Sequence, residues 1–317
     1  MSDYPEFADL KERPRYTGVA TFMRTPYRES LEDVDIGLAG VPFDGGVTNR
    51  PGARHGPREI RNQSSLIRKI NQASGIAPYE LCRVADIGDA WVKRPFHLES
   101  SHDEIGEFFR RVHAAGVVPI AAGGDHSITL PILRAIAAGH PLGMVHFDAH
   151  CDTGDDYLGS RFHHGAPFRR AVEEGLLDPD RTIQIGIRGT VNDRDVWRFS
   201  RESGMRVLPI DELYEIGVEA AVAEARRVVG DGPVYISFDV DGLDPVYAPG
   251  TGTPEVGGFT TREAQLMIRG LRGLDLVGGD VVEVAPPFDP SGGTALVGAT
   301  MMFEILCVVA DALAARR

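Results

Sequence analysis

The stretch LGMVHFDAHCDTGDDY (residues 142–157) joins an apolar run directly to a cluster of acidic side chains. A short apolar run bounded by polar residues is typical of a strand that is buried on both faces. A solvated surface loop could be equally acidic, but it would not explain why the acids follow a buried strand without a break. The stretch therefore predicts a strand whose tip carries carboxylates, and the surrounding sequence indicates what they do.

Seven further apolar runs stop at Gly, Pro or Asp and alternate with segments of helical periodicity. The eight predicted strands are residues 34–41, 82–88, 117–122, 142–147, 182–187, 205–210, 233–238 and 274–284. Helices are predicted at residues 57–70, 128–138, 167–177, 217–230, 260–273 and 294–315. Strands that alternate with helices predict an α/β fold in which a parallel sheet lies between helix layers.

Local signals support several of these helices. Pro57 stands near the first turn of its helix, a position that suits proline. Thr260 followed three positions later by Glu263 is a capping-box pattern. The segment 294–315 is apolar on more than one face, which predicts a buried helix. Since no linker interrupts the pattern, we expect one domain over residues 1–317, with residues 1–33 as an irregular N-terminal arm.

Composition excludes several classes of function. The 317 residues carry a formal charge of -13, which disfavours nucleic acid as a partner. The three scattered cysteines are typical of a reducing compartment. The polar N-terminus has no apolar signal segment, and no uninterrupted apolar run approaches the ~18 residues of a membrane span. We therefore expect a cytoplasmic protein without a membrane partner.

The acidic stretch has the spacing of a ligand row. In an extended chain, Asp148, His150 and Asp152 point to the same side, beyond the strand end where parallel α/β sheets bind ligands. The alternative is a polar strand end that faces solvent. His146 shares the parity but lies deeper, which favours a hydrogen-bonded core histidine. Cys151 has the opposite parity, and we expect a packed thiol there.

Two other strand tips carry similar groups. Asp239 and Asp241 follow the apolar run VYISF, and His126 follows the turn at GGD (residues 123–125). Unpaired carboxylates at neighbouring tips would repel one another, and divalent cations would remove that cost. Two divalent ions balance four carboxylates, and an oxygen-rich set without thiolates suits Mn²⁺ better than tetrahedral zinc. We therefore predict two Mn²⁺ per chain, bound by His126, Asp148, His150, Asp152, Asp239 and Asp241.

Several motifs resemble those of the ureohydrolase family, which comprises arginases, agmatinases and guanidino-acid hydrolases. The matching motifs are GGDHS (123–127), HFDAHCDT (146–153), SFDVDGLDP (237–245), EVAPPFD (283–289) and the agmatinase-like PGTGTPEVGG (249–258). The resemblance implies a three-layer α/β/α fold with an eight-stranded parallel sheet and a bridged manganese pair. It also implies hydrolysis of a linear guanidino compound to urea and an amine, and assembly as a homotrimer or homohexamer.

The resemblance also implies roles for individual residues. One ion would bind His126, Asp148, Asp152 and Asp239, and the other would bind His150, Asp148, Asp239 and Asp241. His164 would transfer a proton to the departing amine, with the adjacent His163 as the alternative. Glu283 would accept the substrate guanidinium through its carboxylate.

Two departures from the arginase pattern bear on the substrate. Gly154 and Gly189 stand where arginases carry side chains that hold the α-carboxylate and α-amino groups. This favours a short guanidino acid, 3-guanidinopropionate or 4-guanidinobutyrate, over arginine. The loop between Gly154 and His164 would form the far wall of the site, where Tyr157 offers a hydroxyl and Arg161 a cation for a carboxylate.

Two alternatives remain open at this point. The chain could be an agmatinase that acts on a guanidino amine, or a metal-binding member without catalysis. The complete ligand set argues against the silent member. A serine or P-loop mechanism has no support, because neither G-x-S-x-G nor G-x-x-x-x-G-K occurs.

Overall fold

The computed structural model describes residues 14–137 and 139–317, so residues 1–13 of the predicted arm lie outside the described part. Its central sheet has the order β2-β1-β3-β8-β7-β4-β5-β6, and every pairing is parallel. The strands are β1 (Ile36–Gly40), β2 (Val84–Asp89), β3 (Val118–Ala122), β4 (Leu142–Phe147), β5 (Leu177–Ile187), β6 (Arg206–Pro209), β7 (Pro233–Asp239) and β8 (Asp275–Val282). The predicted eight-stranded parallel sheet is confirmed.

Helices cover both faces of the sheet. They are α1 (Gly56–Ser64), α2 (Pro78–Leu81), α3 (Leu98–Ala114), α4 (Thr129–Ile136), α5 (Pro167–Glu173), α6 (Arg198–Ser203), α7 (Ile210–Ile216), α8 (Val218–Val229), α9 (Thr261–Gly270) and α10 (Gly293–Ala315). Alternate residues of each strand enter two separate cores: Val145 and Phe147 of β4 pack with α1, α8, α9 and α10, whereas Met144 packs with α3, α4 and α5. This is a three-layer α/β/α arrangement.

The helices differ from the predictions in several places: the short helices α2, α6 and α7 were not predicted, and α5 ends at Glu173 instead of residue 177. The 17-residue helix α3 was not predicted, although its buried Ile105, Phe109 and Val112 recur at helical spacing between charged residues. Helix α1 ends at Ser64, six residues before the predicted end. The capping box of α9 is confirmed, because the Thr260 hydroxyl accepts the Glu263 N–H and the Glu263 carboxylate accepts the Thr260 N–H.

The predicted burial of the last helix is also confirmed. Within the described residues, α10 is the one helix long and apolar enough to cross a membrane by length and composition. The same test is passed by core helices, and 72% of the relevant window is buried inside the protein. The described part of the arm, residues 14–33, packs Phe22 and Met23 into the core through a short 3₁₀ turn.

Candidate metal centre

Strands β3, β4 and β7 end at the same edge of the sheet and bring the six predicted ligands together. The Nδ1 atom of His126 lies 3.1 Å from Asp148 Oδ2, 3.0 Å from Asp152 Oδ2 and 3.3 Å from Asp239 Oδ2. This nitrogen is buried and has no hydrogen-bond partner in the part of the chain that the structure describes. One imidazole nitrogen is therefore surrounded by three carboxylate oxygens from two other strand ends.

A second group of ligands adjoins the first. The Nδ1 atom of His150 lies 3.4 Å from Asp148 Oδ1 and 3.1 Å from Asp241 Oδ2. Asp148 thus directs one oxygen towards His126 and the other towards His150, which is the arrangement of a bridging carboxylate. Asp239 directs Oδ2 towards His126, while its Oδ1 accepts the backbone N–H of Asp241. The predicted residues accordingly form two connected histidine–carboxylate groups.

The backbone reaches this arrangement differently from the prediction. The extended chain ends at Phe147, and residues 148–150 bend. Asp152 has a φ of 49° and Glu283 a φ of 64°, in the left-handed region that is uncommon for residues other than glycine. Such conformations cost about 1–3 kcal/mol each and concentrate at functional sites. The spacing therefore predicted the members of the group, whereas the bends decide how they converge.

Four polar side chains lie in register on adjacent strands beneath the ligands and hold them in place. This polar row consists of Gln184, His146, Ser237 and Asp280. Ser237 pairs in register with Asp280 of β8, and its hydroxyl donates to Asp280 Oδ1 over 2.8 Å. The same hydroxyl lies 2.8 Å from His126 Nε2. Because its own hydrogen is directed at Asp280, it accepts a hydrogen bond from the Nε2–H of His126. This tautomer directs the Nδ1 lone pair of His126 at carboxylate oxygens, which becomes favourable when a cation lies between them.

The row continues on the other side of β7. His146 is in register with Ser237 of β7 and with Gln184 of β5. Its Nε2 lies 2.8 Å from Asp148 Oδ2, and its Nδ1 lies 3.2 Å from Gln184 Nε2. His146 is thus a hydrogen-bonded buried histidine, as predicted, but it also fixes a ligand carboxylate. The sequence analysis missed that contact, although the shared parity of His146 and Asp148 was a signal for it.

Burial makes the carboxylates costly without a counter-charge. Burial and the neighbouring Asp241 and Asp148 raise the pKa of Asp239 well above its usual range. Burial and the Asp148 charge raise the pKa of Asp241 to about 6. Two divalent cations would offset the four carboxylates, and His/Asp groups of metal-binding geometry are present around both His126 and His150. The residues therefore fit a pair of divalent ions.

A cavity of about 450 Å³ opens over these groups. Its floor includes His150, Asp152, Asp239 and Asp241, and residues 190–193 form one side. The opposite side belongs to the loop of residues 154–165, which we name the wall loop and which contributes Gly154, Tyr157, His163, His164 and Gly165. Tyr157 lies on the cavity wall, where the sequence analysis placed it.

His164 is held between a carboxylate and a threonine. Its Nδ1 lies 2.8 Å from Glu283 Oε1, and its Nε2 lies 2.7 Å from the Thr48 hydroxyl. Burial opposes its protonation, but Glu283 and Asp125 outweigh that effect and raise the pKa of His164 to about 9. Thr48 also lines the cavity, and no motif in the sequence analysis had singled it out.

His163 has a different environment from His164. Its Nε2 lies 3.0 Å from the carbonyl oxygen of Asp155, and its Nδ1 accepts the N–H of Gly165 over 3.2 Å. Burial lowers the pKa of His163. Both ring nitrogens of His164 are engaged as well, but one of its partners is the Glu283 carboxylate, which can stabilise a protonated ring. His164 therefore stays the predicted proton donor.

Glu283 lies behind His164 and is not among the residues that line the cavity. Its Oε1 accepts the backbone N–H of His126 over 2.9 Å in addition to the contact with His164. Its Oε2 is buried and has no hydrogen-bond partner among the described residues. Because Glu283 does not reach the cavity in this arrangement, its predicted contact with the substrate stays a prediction.

The structure corrects the interpretation of Arg161. Its Nε donates to Asp155 Oδ1 over 3.0 Å and its NH2 to Glu173 Oε2 over 3.2 Å. Arg161 is half exposed and does not line the cavity. Its guanidinium turns away because two carboxylates outside the cavity engage it, so it does not form the predicted cationic wall.

The two glycines that depart from the arginase pattern occupy closed positions. A Cβ atom on Gly154 would lie 2.8 Å from the carbonyl oxygen of Gly165. Gly189 has a φ of 89°, and a Cβ atom there would collide with the Glu255 carboxylate. Gly154 is thus blocked by backbone, whereas at Gly189 the left-handed backbone, rather than the movable carboxylate of Glu255, disfavours a side chain. Both positions are consistent with the predicted absence of the α-amino-acid clamp.

Known proteins share both the sequence and the fold. The Arginase family model matches residues 34–308. Guanidinopropionase of Pseudomonas aeruginosa is 61% identical to this chain, and the alignment covers 99% of this chain and 98% of that protein. Mitochondrial agmatinase of Gallus gallus is 49% identical, and the alignment covers 96% of this chain and 89% of that protein. The solved structure of proclavaminate amidino hydrolase from Streptomyces clavuligerus has a TM-score of 0.91 at 40% identity, covering 95% of this chain and all of that one.

Proposed function

The chain belongs to the arginase family, and from that membership we propose that it is a binuclear manganese hydrolase that cleaves a short guanidino acid to urea and an amine. The observation that carries the proposal is the lone Nδ1 atom of His126 among three carboxylates, next to the second group around His150. These groups face a cavity large enough for a small linear substrate.

The choice of Mn²⁺ rests on the chemistry of the donors. Four carboxylates and two imidazoles form an oxygen-rich set without a thiolate, which suits Mn²⁺ better than a tetrahedral zinc site. Cys151 does not join this set, because its side chain packs in an apolar cluster with Ile187 and Val207. His126, Asp148, Asp152 and Asp239 would hold one ion, and His150, Asp148, Asp239 and Asp241 the other.

The reaction adds water to the guanidinium carbon and breaks the bond from that carbon to the substituted nitrogen. When bound, two divalent cations lower the pKa of a coordinated water and so supply the nucleophile. Glu283 would hold the His164 imidazole through Oε1, and a contact of its buried Oε2 with the guanidinium would require a rearrangement that opens it to the cavity. His164, which lines the cavity, would give a proton to the departing nitrogen, so that the products are urea and an ammonium group.

A short guanidino acid fits the cavity better than arginine. The closed positions at Gly154 and Gly189 leave the α-carboxylate and α-amino groups of arginine without those partners. An unpaired polar group in a closed site costs roughly 1–3 kcal/mol. Tyr157 remains the proposed donor to the far carboxylate, and the similarity to guanidinopropionase supports this substrate class.

Agmatine is the second candidate substrate. Asp193 lies on the cavity wall and would attract a terminal amine rather than a carboxylate. The similarity to the Gallus gallus agmatinase points in the same direction. The two substrates place opposite charges at the far end of the cavity, so one assay separates them.

Assembly and location follow as further parts of the proposal. We propose a homotrimer or homohexamer, as the resemblance to the family implies. A cytoplasmic location is supported by the cysteines, because Cys82, Cys151 and Cys307 are all buried and free.

The test is urea release from a panel of 3-guanidinopropionate, 4-guanidinobutyrate, agmatine and arginine. The proposal expects the highest kcat/KM for one of the two acids. A higher kcat/KM for agmatine would replace the guanidino-acid assignment, and absence of urea from every compound would remove the proposed activity.

A further inference from the structure

The wall loop is fastened at its base by one acidic residue. The carboxylate of Asp155 accepts hydrogen bonds from Arg161 Nε over 3.0 Å and from Arg170 NH2 over 2.9 Å. It also lies 3.1 Å from Arg169 NH2. Arg169 and Arg170 belong to helix α5. The side chain of Asp155 thus connects the start of the wall loop to the helix that follows it.

The backbone of the same residue holds the other end of the loop. The carbonyl oxygen of Asp155 lies 3.0 Å from His163 Nε2, and Gly154 N–H donates to the Gly165 carbonyl over 2.8 Å. The ring of His163 in turn lies 5.6 Å from that of Tyr157, measured between centroids. Through these contacts, Asp155 is linked to Tyr157 and His163, two of the three ring side chains that the wall loop presents to the cavity.

Arg170 makes this connection strong. Its side chain is only 3% exposed, and its Nε and NH1 atoms are buried without hydrogen-bond partners. Its NH2 contacts only carboxylates in the described residues, those of Asp155 and Glu173. Asp155 itself is 45% exposed, but without its charge the buried guanidinium of Arg170 would keep only Glu173 as a carboxylate partner among the described residues. Loss of the Asp155 charge should therefore displace the loop rather than leave it in place.

We propose that Asp155 is a positioning residue for substrate recognition, which holds Tyr157 and His163 where they meet the far end of the substrate. This rests on the proposed function. The metal ligands stand on β3, β4, β7 and the chain that follows them, outside the wall loop. His164 does belong to the wall loop, but Glu283, Thr48 and the carbonyl oxygen of Gly46 hold it from outside the loop. A displaced wall loop should thus weaken recognition of the tail more than it disturbs the reacting end. Interactions of that kind change KM more than kcat.

Asp155→Asn tests the proposal, and Asp156→Asn is its matched control. Asp156 is the adjacent acid, and it accepts a hydrogen bond from Gly159 N–H within the loop. With the preferred guanidino substrate, we expect Asp155→Asn to raise KM about tenfold, to change kcat less than about threefold and to keep its metal. Asp156→Asn should resemble the wild type, and Asp155→Glu should recover part of the loss because it keeps the charge.

Two further measurements separate positioning from general stability. The effect of Asp155→Asn on KM should shrink when Tyr157→Phe is already present, because both changes act on the same contact. Trypsin should cut after Arg161 faster in Asp155→Asn than in Asp156→Asn, and this readout needs no activity.

The outcomes are distinct. Equal KM values in the Asp155→Asn and Asp156→Asn variants would overturn the proposal, and so would faster proteolysis with an unchanged KM. Loss of metal or of kcat together with the rise in KM would assign Asp155 to the fold instead. If the wild type releases urea from no guanidino compound, the proposed function fails, whereas the proteolysis still reports whether Asp155 holds the loop.

Discussion

His164 and Glu283 form one buried pair, in which the imidazole Nδ1 lies 2.8 Å from the carboxylate Oε1. The same oxygen accepts the backbone N–H of the metal-ligand candidate His126. The pair therefore joins the proposed proton donor to the edge of the metal centre. On the other side of the ring, Nε2 of His164 lies 2.7 Å from the Thr48 hydroxyl and 3.1 Å from the Thr48 backbone nitrogen.

His164→Ala should lower kcat by about 100-fold or more, since a positioned general acid contributes about 10²–10⁴. Its metal content should stay at the wild-type level, because His164 is not among the ligands. His163→Ala should lower kcat much less, since the backbone engages both nitrogens of that ring. Steady-state kinetics with metal analysis test this prediction. A larger loss of kcat in His163→Ala would transfer the proton role to His163.

Asp148→Ala and Asp239→Ala should retain less manganese than Asp241→Ala. Asp148 directs its two oxygens to different histidines, so its loss affects both groups. Of the two ligand histidines, Asp241 contacts only His150. Metal content measured after dialysis against a limiting chelator decides the ranking. Equal retention in the three variants would contradict the bridging assignment.

Chelated protein should lose urea release and regain it on addition of Mn²⁺. Metal analysis should approach two ions per chain at full activity, because four carboxylates need about four positive charges. Mg²⁺ and Zn²⁺ at the same concentration serve as controls. Full activity after verified removal of all metal would exclude the proposed chemistry.

Asp280→Asn should weaken metal binding about 10- to 100-fold, as is typical when the hydrogen-bond partner of a ligand is lost. The Asp280 carboxylate accepts a hydrogen bond from the Ser237 hydroxyl, which in turn accepts one from His126. The side-chain NH2 group of asparagine is a donor and would disrupt this chain of hydrogen bonds. Asp275→Asn on the same strand is the matched control, because Asp275 pairs with Arg316 at the surface. Competition with a chelator of known affinity gives the dissociation constants. Equal values for the two variants would remove the positioning role of Asp280.

Tyr157→Phe should lower kcat/KM for the guanidino acids about tenfold, since a hydrogen bond to a charged group contributes about 1.5–3 kcal/mol. Arg161→Ala should change it less than about threefold, because Arg161 is paired outside the cavity. Agmatine provides the comparison, and its kcat/KM should respond less to Tyr157→Phe. If kcat/KM for both guanidino acids is the same in Tyr157→Phe as in the wild type, the tyrosine hydroxyl does not bind the substrate carboxylate.

The amino-acid sequence by itself determined the parallel sheet, the cores on its two faces and the six side chains that meet at its edge. These follow from local periodicity and from the rule that the carboxyl ends of parallel strands share one edge, so they need no coordinates. The helix α3 escaped prediction even so, because charged residues separate its apolar positions.

Only the tertiary structure decided which side chains touch across long distances in the chain. The row from Gln184 to Asp280 depends on strand register, and the meeting of Thr48 with His164 depends on loop packing, neither of which leaves a local pattern. For Arg161, the same lack of a local pattern led to a wrong prediction. Its position in the wall loop suggested a contact with substrate, but the competing carboxylates of Asp155 and Glu173 turn its guanidinium away from the cavity.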